Sequence, residues 1–184
     1  MVDNGSNPGE NALFKRLSPR IRIIENRRNL GFAAGANMGI KFALKQGASH
    51  VILLNPDTQA GNDFIHPLIE NGADIVAPVI KFKRRGRDVF DFGGDINFWL
   101  GRVQHYEVTN KKKIRKVAPD YVSGACMLVR REVFSKIGFF DERFFLYFED
   151  TDFCLRAKRQ GLTVRVEPKS VVVHRLVEGK RKPV

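Results

Sequence analysis

Apolar residues along the chain fall into short continuous runs separated by stretches with helical spacing, and this alternation predicts an α/β fold. Residues 21–24 read as a short strand. Over 32–45, Ala34, Met38 and Phe42 recur four apart, as do Ile40 and Leu44, and Gly47 stands where a helix stops. His50-Val51-Ile52-Leu53-Leu54 is an apolar run ended by Asn55-Pro56-Asp57, the pattern of a parallel strand buried on both faces. A short helix is expected over 62–70, its limits blurred by Pro67, then a strand over 73–82 with Pro78 late in it. Residues 88–108 alternate aromatic and polar positions, with Gly93-Gly94 and Gly101 as breaks, which predicts an antiparallel ribbon. After it come a strand at 125–129, a helix at 131–137 stopped by Gly138, and a helix at 149–160 capped by Gly161. Two strands, 162–166 and 171–173, finish the pattern. The expected architecture is an α/β sandwich on a mainly parallel sheet with a small antiparallel insertion.

The 184 residues suit one compact domain, and 43% hydrophobic with 28% charged residues is an ordinary globular balance. Phe dominates the aromatics, 15 against one Trp and three Tyr, which is a core-filling usage. Cys126 and Cys154 make no disulfide framework or zinc site by themselves, and a reducing cytosolic setting is expected. No run has the length of a membrane span, and the first residues lack the apolar stretch of a signal peptide. Charge changes the picture more: 32 Lys and Arg against 20 Asp and Glu give +12 and a pI near 10.0. That balance admits nucleic acid, anionic membrane or phosphorylated small molecules as partners. Much of the excess is local, at Lys81-Phe82-Lys83-Arg84-Arg85, at 111–116 and in a basic tail at 175–184, where solvated loops are the simpler reading.

Two segments place polar residues just beyond a strand end or at a helix start, where α/β sheets bind ligands. In Asn55-Pro56-Asp57-Thr58 the carboxylate suits Mg²⁺ or Mn²⁺, although Asn-Pro-Asp is also an everyday turn. In Glu149-Asp150-Thr151-Asp152, acids at a helix start complement the dipole, yet the apolar run 139–148 delivers the adjacent Glu149 and Asp150 to one place. A carboxylate so placed can act as general base toward an incoming hydroxyl. Gly31-Phe32-Ala33-Ala34-Gly35-Ala36-Asn37 lets backbone approach a phosphate or sugar, but the spacing is neither a dinucleotide fingerprint nor a P-loop. Ser123 and Cys126 have no partner at a spacing that suggests a nucleophile relay.

Taken in order, these segments resemble family 2 glycosyltransferases, and within them a rhamnosyltransferase-like branch. The matching motifs are Val2-Asp3-Asn4-Gly5-Ser6, Asn29 through Asn37, Leu53 through Thr58, Ser123 through Arg131, Gly138 through Glu142, Phe145 through Arg156, and Pro168 through His174. The resemblance implies a GT-A fold, a three-layer sandwich, and inverting transfer of a sugar, rhamnose in that branch, from a nucleotide-diphosphate donor to a glycan or lipid-linked acceptor. It implies that Asp3 contacts the nucleobase, that Asn37 lies near the nucleoside, and that Asn55 sits beside the ribose or diphosphate. It further implies that Asp57 holds a divalent Mg or Mn cation with His174, that Asp150 is the base, and that Glu149 supports the acceptor site. Gly124 counts with the substrate-binding residues, and Trp99 falls in the region that usually faces the acceptor. The resemblance further implies a dTDP- or UDP-sugar donor and a cytoplasmic setting at the inner face of the membrane, and nucleic acid is not an expected partner.

The chain departs from the family pattern in two places. Members normally carry a strand and helix ahead of the segment that here opens at Met1, and Asn7-Pro8-Gly9 replaces an acid usual after the first Ser. One catalytic domain over 1–184, shortened at its front, is therefore expected, with an open sheet or a homo-oligomer and weakened catalysis. The alternatives are a non-catalytic remnant and a basic nucleic-acid module; the motif order disfavours the latter, since the basic runs lie largely outside the matching segments.

Overall fold

The computed structural model describes residues 1–7, 14, 21–110, 113 and 118–175. Of the basic runs, 111–116 (apart from Lys113) and 180–182 lie outside the described residues, as do Pro8 and Gly9. In chain order the elements are β1 Val2–Asn4, β2 Ile24–Asn26, α1 Phe32–Lys45, β3 His50–Leu54, β4 Thr58–Ala60, α2 Ile65–Asn71, β5 Ile75–Arg84, β6 Arg87–Asn97 and β7 Arg102–Val108. They continue with β8 Cys126–Arg130, α3 Arg131–Ile137, α4 Glu149–Arg159 and β9 Val164–His174.

Three layers follow from the pleat. Val51, Leu53, Ile75, Ala77, Met127, Val129, Val164 and Val166 share one face of the sheet and pack against Ala33 and Ile40 of α1, Phe134 of α3, and Phe153 and Ala157 of α4. The alternate residues Ile52, Val76 and Leu128 meet Leu68 of α2 on the other face. Pro67 sits in the first turn of α2, where its missing N–H has no intrahelical partner to lose.

The sheet is mixed, not mainly parallel. β5–β9 and β1–β2 run parallel, whereas β3–β8, β5–β8, β5–β6, β6–β7 and β4–β9 run antiparallel. The apolar runs at β3 and β8 report burial of both faces, which helices on either side impose whatever the direction of the neighbouring strand. The expected strands 162–166 and 171–173 are one strand, β9, whose register against β5 jumps at Pro78/Val79 so that 168–170 bulge out. β2 lies later than the apolar run 21–24 because parallel pairing to β1 (Val2↔Ile24, Asn4↔Asn26) sets its bounds.

Among the described residues, β1 and β2 form their own two-stranded sheet, separate from the seven-stranded sheet whose edge strand is β3. Helix α1 spans both. It crosses β1 through glycines: a Cβ on Gly39 would lie 3.0 Å from Val2 and one on Gly35 3.1 Å from Asn4.

Candidate active site

The carboxyl end of β3 and the segment leading into β8 meet at the start of α4. Asn55 N–H donates to the Ala125 carbonyl at 2.9 Å, and Gly124 N–H donates to Asp150 Oδ2 at 2.8 Å. The ring of Phe32, at the start of α1, closes the third side, 3.6 Å from where a Gly124 Cβ would stand. Gly31 is required there: its φ is 86°, and a Cβ would lie 2.6 Å from the Phe145 carbonyl, which itself accepts Phe32 N–H at 2.8 Å. Segments distant in sequence thus converge on Asp150 through backbone contacts.

The two acids sit in unlike settings. Asp150 is half-buried, with Oδ1 accepting Thr151 N–H at 2.7 Å and Oδ2 accepting Gly124 N–H. Glu149 is 5% exposed, and its Oε2 has no hydrogen-bond partner among the described residues. Burial, then the charge of Asp150, pushes its carboxyl above the ordinary range. Asp152, the third acid of the run, is structural: it pairs with Arg156 at 2.8 Å, and Arg156 caps the Ile137 and Phe139 carbonyls. Just ahead, Tyr147 and Phe148 both have φ near +70°, a costly conformation for bulky residues, held immediately before the acids.

At the far side of Asn55, β4 pairs with β9 so that Thr58 faces His174, and Arg175 N–H donates to the Asp57 carbonyl at 2.8 Å. This register sets Asp57 Oδ1 3.0 Å from His174 Nε2. An exposed carboxylate and an imidazole at that separation fit a divalent cation. Asn55 turns the chain between the two groups, its carbonyl accepting Thr58 N–H at 3.1 Å.

A further cluster borders the site on the β6–β7 ribbon. Buried Asp91 accepts Gly93 N–H on Oδ1 at 2.8 Å and faces His105 Nδ1 with Oδ2 at 3.0 Å. The hydrogen bond to Asp91 raises the His105 pKa. Glu107 is forked by Arg84 at 2.6 and 2.9 Å. Asp91, His105 and Glu107 offer ligand atoms within 4.8 Å of one another, a grouping of three with metal-ligating chemistry; its Asp91–His105 pair is in contact at 3.0 Å, as the Asp57–His174 pair is, and Glu107 is also held by Arg84. The buried Tyr121 ring stands edge-on to His105 at 5.5 Å, and its hydroxyl is without a partner among the described residues. Asp150 is close enough to add to the raised pKa of both His105 and Tyr121, so this cluster and the acid pair share one electrostatic neighbourhood.

Residues 1–138 match the profile of Glycosyl transferase family 2. The chain belongs to that family. It is 31% identical over 160 residues to the dTDP-rhamnosyl transferase RfbF of Shigella flexneri, covering 84% of this chain and 52% of that protein. It is 28% identical over 149 residues to the low-salt glycan biosynthesis hexosyltransferase Agl10 of Haloferax volcanii, covering 78% and 48%. With the N-acetylglucosaminyl-diphospho-decaprenol L-rhamnosyltransferase of Mycobacterium tuberculosis the identity is 28%, over 100% of this chain and 68% of that one. The chain spans about half the length of the first two. Among solved structures, GalNAc-T7 with UDP, GalNAc and Mn²⁺ matches with a TM-score of 0.72 at 16% identity, over 100% of this chain and 38% of that one. That likeness shows the fold, and it is the GT-A type expected from the motifs.

Within this family 2 chain the structure sets Asn55 against Ala125, Gly124 against Asp150 and Asp57 against His174 at one end of the sheet, but gives other candidates different places. Asn37 is 1% exposed and its amide is committed: Oδ1 accepts Phe140 N–H at 3.0 Å while Nδ2 donates to the Phe140 carbonyl and to Glu142. It anchors the loop ahead of the acids and does not face a ligand, because a helix buried under that loop leaves its face no solvent. Gly124 acts through its N–H on Asp150. Asp3 is buried in the middle of β1, with Oδ1 accepting Ser6 N–H at 3.0 Å. Trp99 is 99% exposed at the β6–β7 tip, so its ring is not packed into the acid cluster. Cys126 and Cys154 are buried with thiols pushed up to about 12, which removes them as nucleophiles. Among the described residues no helix is long and apolar enough to cross a membrane.

Proposed function

We propose that the chain transfers a sugar from a nucleotide-diphosphate donor to a hydroxyl of a glycan or lipid-linked acceptor, with inversion at the anomeric carbon. The observation that carries this reading is the junction at Asn55–Ala125 and Gly124–Asp150, which sets the Asp57–His174 pair and the Glu149–Asp150 pair at one end of the sheet in a family 2 fold. Asp150, oriented by Gly124 and Thr151, is the base that takes the acceptor proton as the hydroxyl attacks. Glu149, buried beside Asp150 with its pKa raised by desolvation, supports the acceptor side. Asn55 fixes the turn between the two pairs, and Asp3, in the middle of β1, is the residue proposed to contact the nucleobase. Asp57 and His174 would hold a divalent cation, Mg²⁺ or Mn²⁺, whose chemistry is to neutralise charge on the departing diphosphate.

The names of the relatives support a dTDP-sugar as donor, with rhamnose as the transferred sugar and a diphospho-lipid saccharide as acceptor; a UDP-sugar is the alternative donor, and a reaction at the inner face of the membrane is part of the same proposal. The test is a transfer assay on the intact chain with dTDP-rhamnose and UDP-sugars. Asp150→Asn is expected to lower turnover by about two to four orders of magnitude while donor binding persists. Near-normal turnover in that variant would move the base to Glu149 or His105.

A further inference from the structure

Beyond the Gly94↔Tyr121 bridge, the outer end of the β6–β7 ribbon, Asp95↔Gln104 through Asn97↔Arg102, pairs with no third strand among the described residues and carries three apolar residues at its turn. Phe98, Trp99 and Leu100 are 63%, 99% and 65% exposed. The turn is a built one: Leu100 N–H donates to Asn97 Oδ1 at 3.0 Å, and Gly101 supplies a φ of 60°. A run of Phe-Trp-Leu held outward on an ordered turn is not a residue of folding, since these side chains lose by exposure what a core would give them.

We propose that this tip is an interfacial anchor that seats in the headgroup boundary of an anionic lipid surface. Charge selects that occupant. The chain carries +12, which repels a second copy and draws the molecule to anionic headgroups. Arg102 flanks the tip on the exposed side, whereas the acids at the base of the ribbon are engaged internally: Asp95 accepts the Tyr106 hydroxyl and Asp120 pairs with Lys158 at 2.5 Å. Trp suits this boundary, with an apolar ring and one N–H that stays wet. The anchor is independent of the transfer chemistry, so its failure leaves the proposed function standing.

Trp99 is the one tryptophan of the chain, so intrinsic fluorescence reads this tip directly. The intact chain is mixed with vesicles of phosphatidylcholine alone, or with about a third phosphatidylglycerol, at low and high salt. The expected result is a blue shift of Trp99 emission and co-sedimentation on the anionic vesicles, at least about tenfold stronger than on neutral ones and weakened by salt. Phe98→Ser with Leu100→Ser, which keeps the reporter, is expected to lose most of the binding and the shift. Absence of binding would overturn the proposal. So would binding with unshifted emission, which would assign the contact to basic residues elsewhere. A blue shift without vesicles that grows with protein concentration would also overturn it, assigning the tip to self-association.

Discussion

Glu149 and His105 show how the same fold moves two titrations by different physics. Burial raises the Glu149 pKa by penalising its charged form, so the native state is disfavoured as pH rises through the carboxylate range. Glu149→Gln keeps the shape and removes the charge. It should be more stable than the parent at pH 7.5, by on the order of 1 kcal/mol and with a correspondingly higher thermal midpoint, and the gap should close toward pH 4. A pH-independent difference would show that burial does not raise the Glu149 pKa. For His105 the cause is a hydrogen bond to Asp91, and the sign is opposite in consequence: the imidazolium stabilises the fold fully below the ordinary histidine value and loses that contribution as pH rises through the raised one. His105→Gln should therefore destabilise the chain at pH 6 and much less at pH 9, read by denaturant midpoints at both. The acid pair was visible in the sequence because an apolar run ends on it. Asp91 and His105, 14 residues apart, were not, since only the bulge between Asp91 and Gly94 turns them toward each other.

At the scale of elements, glycines decide where segments touch. Gly93-Gly94 reads in the sequence as a break, yet the structure uses it as a contact: Gly94 N–H donates to the Tyr121 carbonyl at 3.1 Å, and a Gly94 Cβ would stand 2.1 Å from the Gln104 carbonyl oxygen and 2.7 Å from the Tyr121 hydroxyl. Gly94→Ala should cost about 1–3 kcal/mol by forcing the ribbon and the 120–124 segment apart. Because that segment leads into Gly124, the same variant should weaken turnover beyond its loss of stability, measured at a temperature where it remains folded. Asn37 makes the complementary point. Its place in the glycine-rich motif suggested a ligand contact, but an amide on a buried helix face finds the Phe140 backbone first. Helix α3 has the bounds read from the sequence and α4 differs by one residue at its end, because Gly138 and Gly161 stop them. Strand β4 was not legible: Thr58–Ala60 carries no pattern, and its pairing to β9 comes from the turn at Asn55-Pro56-Asp57.

For the whole molecule, layering and motif order were readable from the chain, whereas strand direction was not. Helices covering both faces make the runs at β3 and β8 apolar whether their neighbours are parallel or antiparallel, so that pattern carries no information on direction. The separation of the β1–β2 sheet from β3 is likewise a pairing property that composition does not encode. What joins the parts is one end of the sheet, where Asp57–His174 and Glu149–Asp150 are linked through Asn55, Ala125 and Gly124. On the proposed function, this end binds a nucleotide-diphosphate sugar with the help of a divalent cation. Calorimetric titration of the intact chain with dTDP- and UDP-sugars, with and without Mn²⁺, tests it most directly. The account predicts saturable binding of at least one donor that tightens about tenfold or more with Mn²⁺, a tightening lost in Asp57→Ala while the fold persists. Binding of no donor, or the same metal dependence in Asp57→Ala as in the parent, would contradict it.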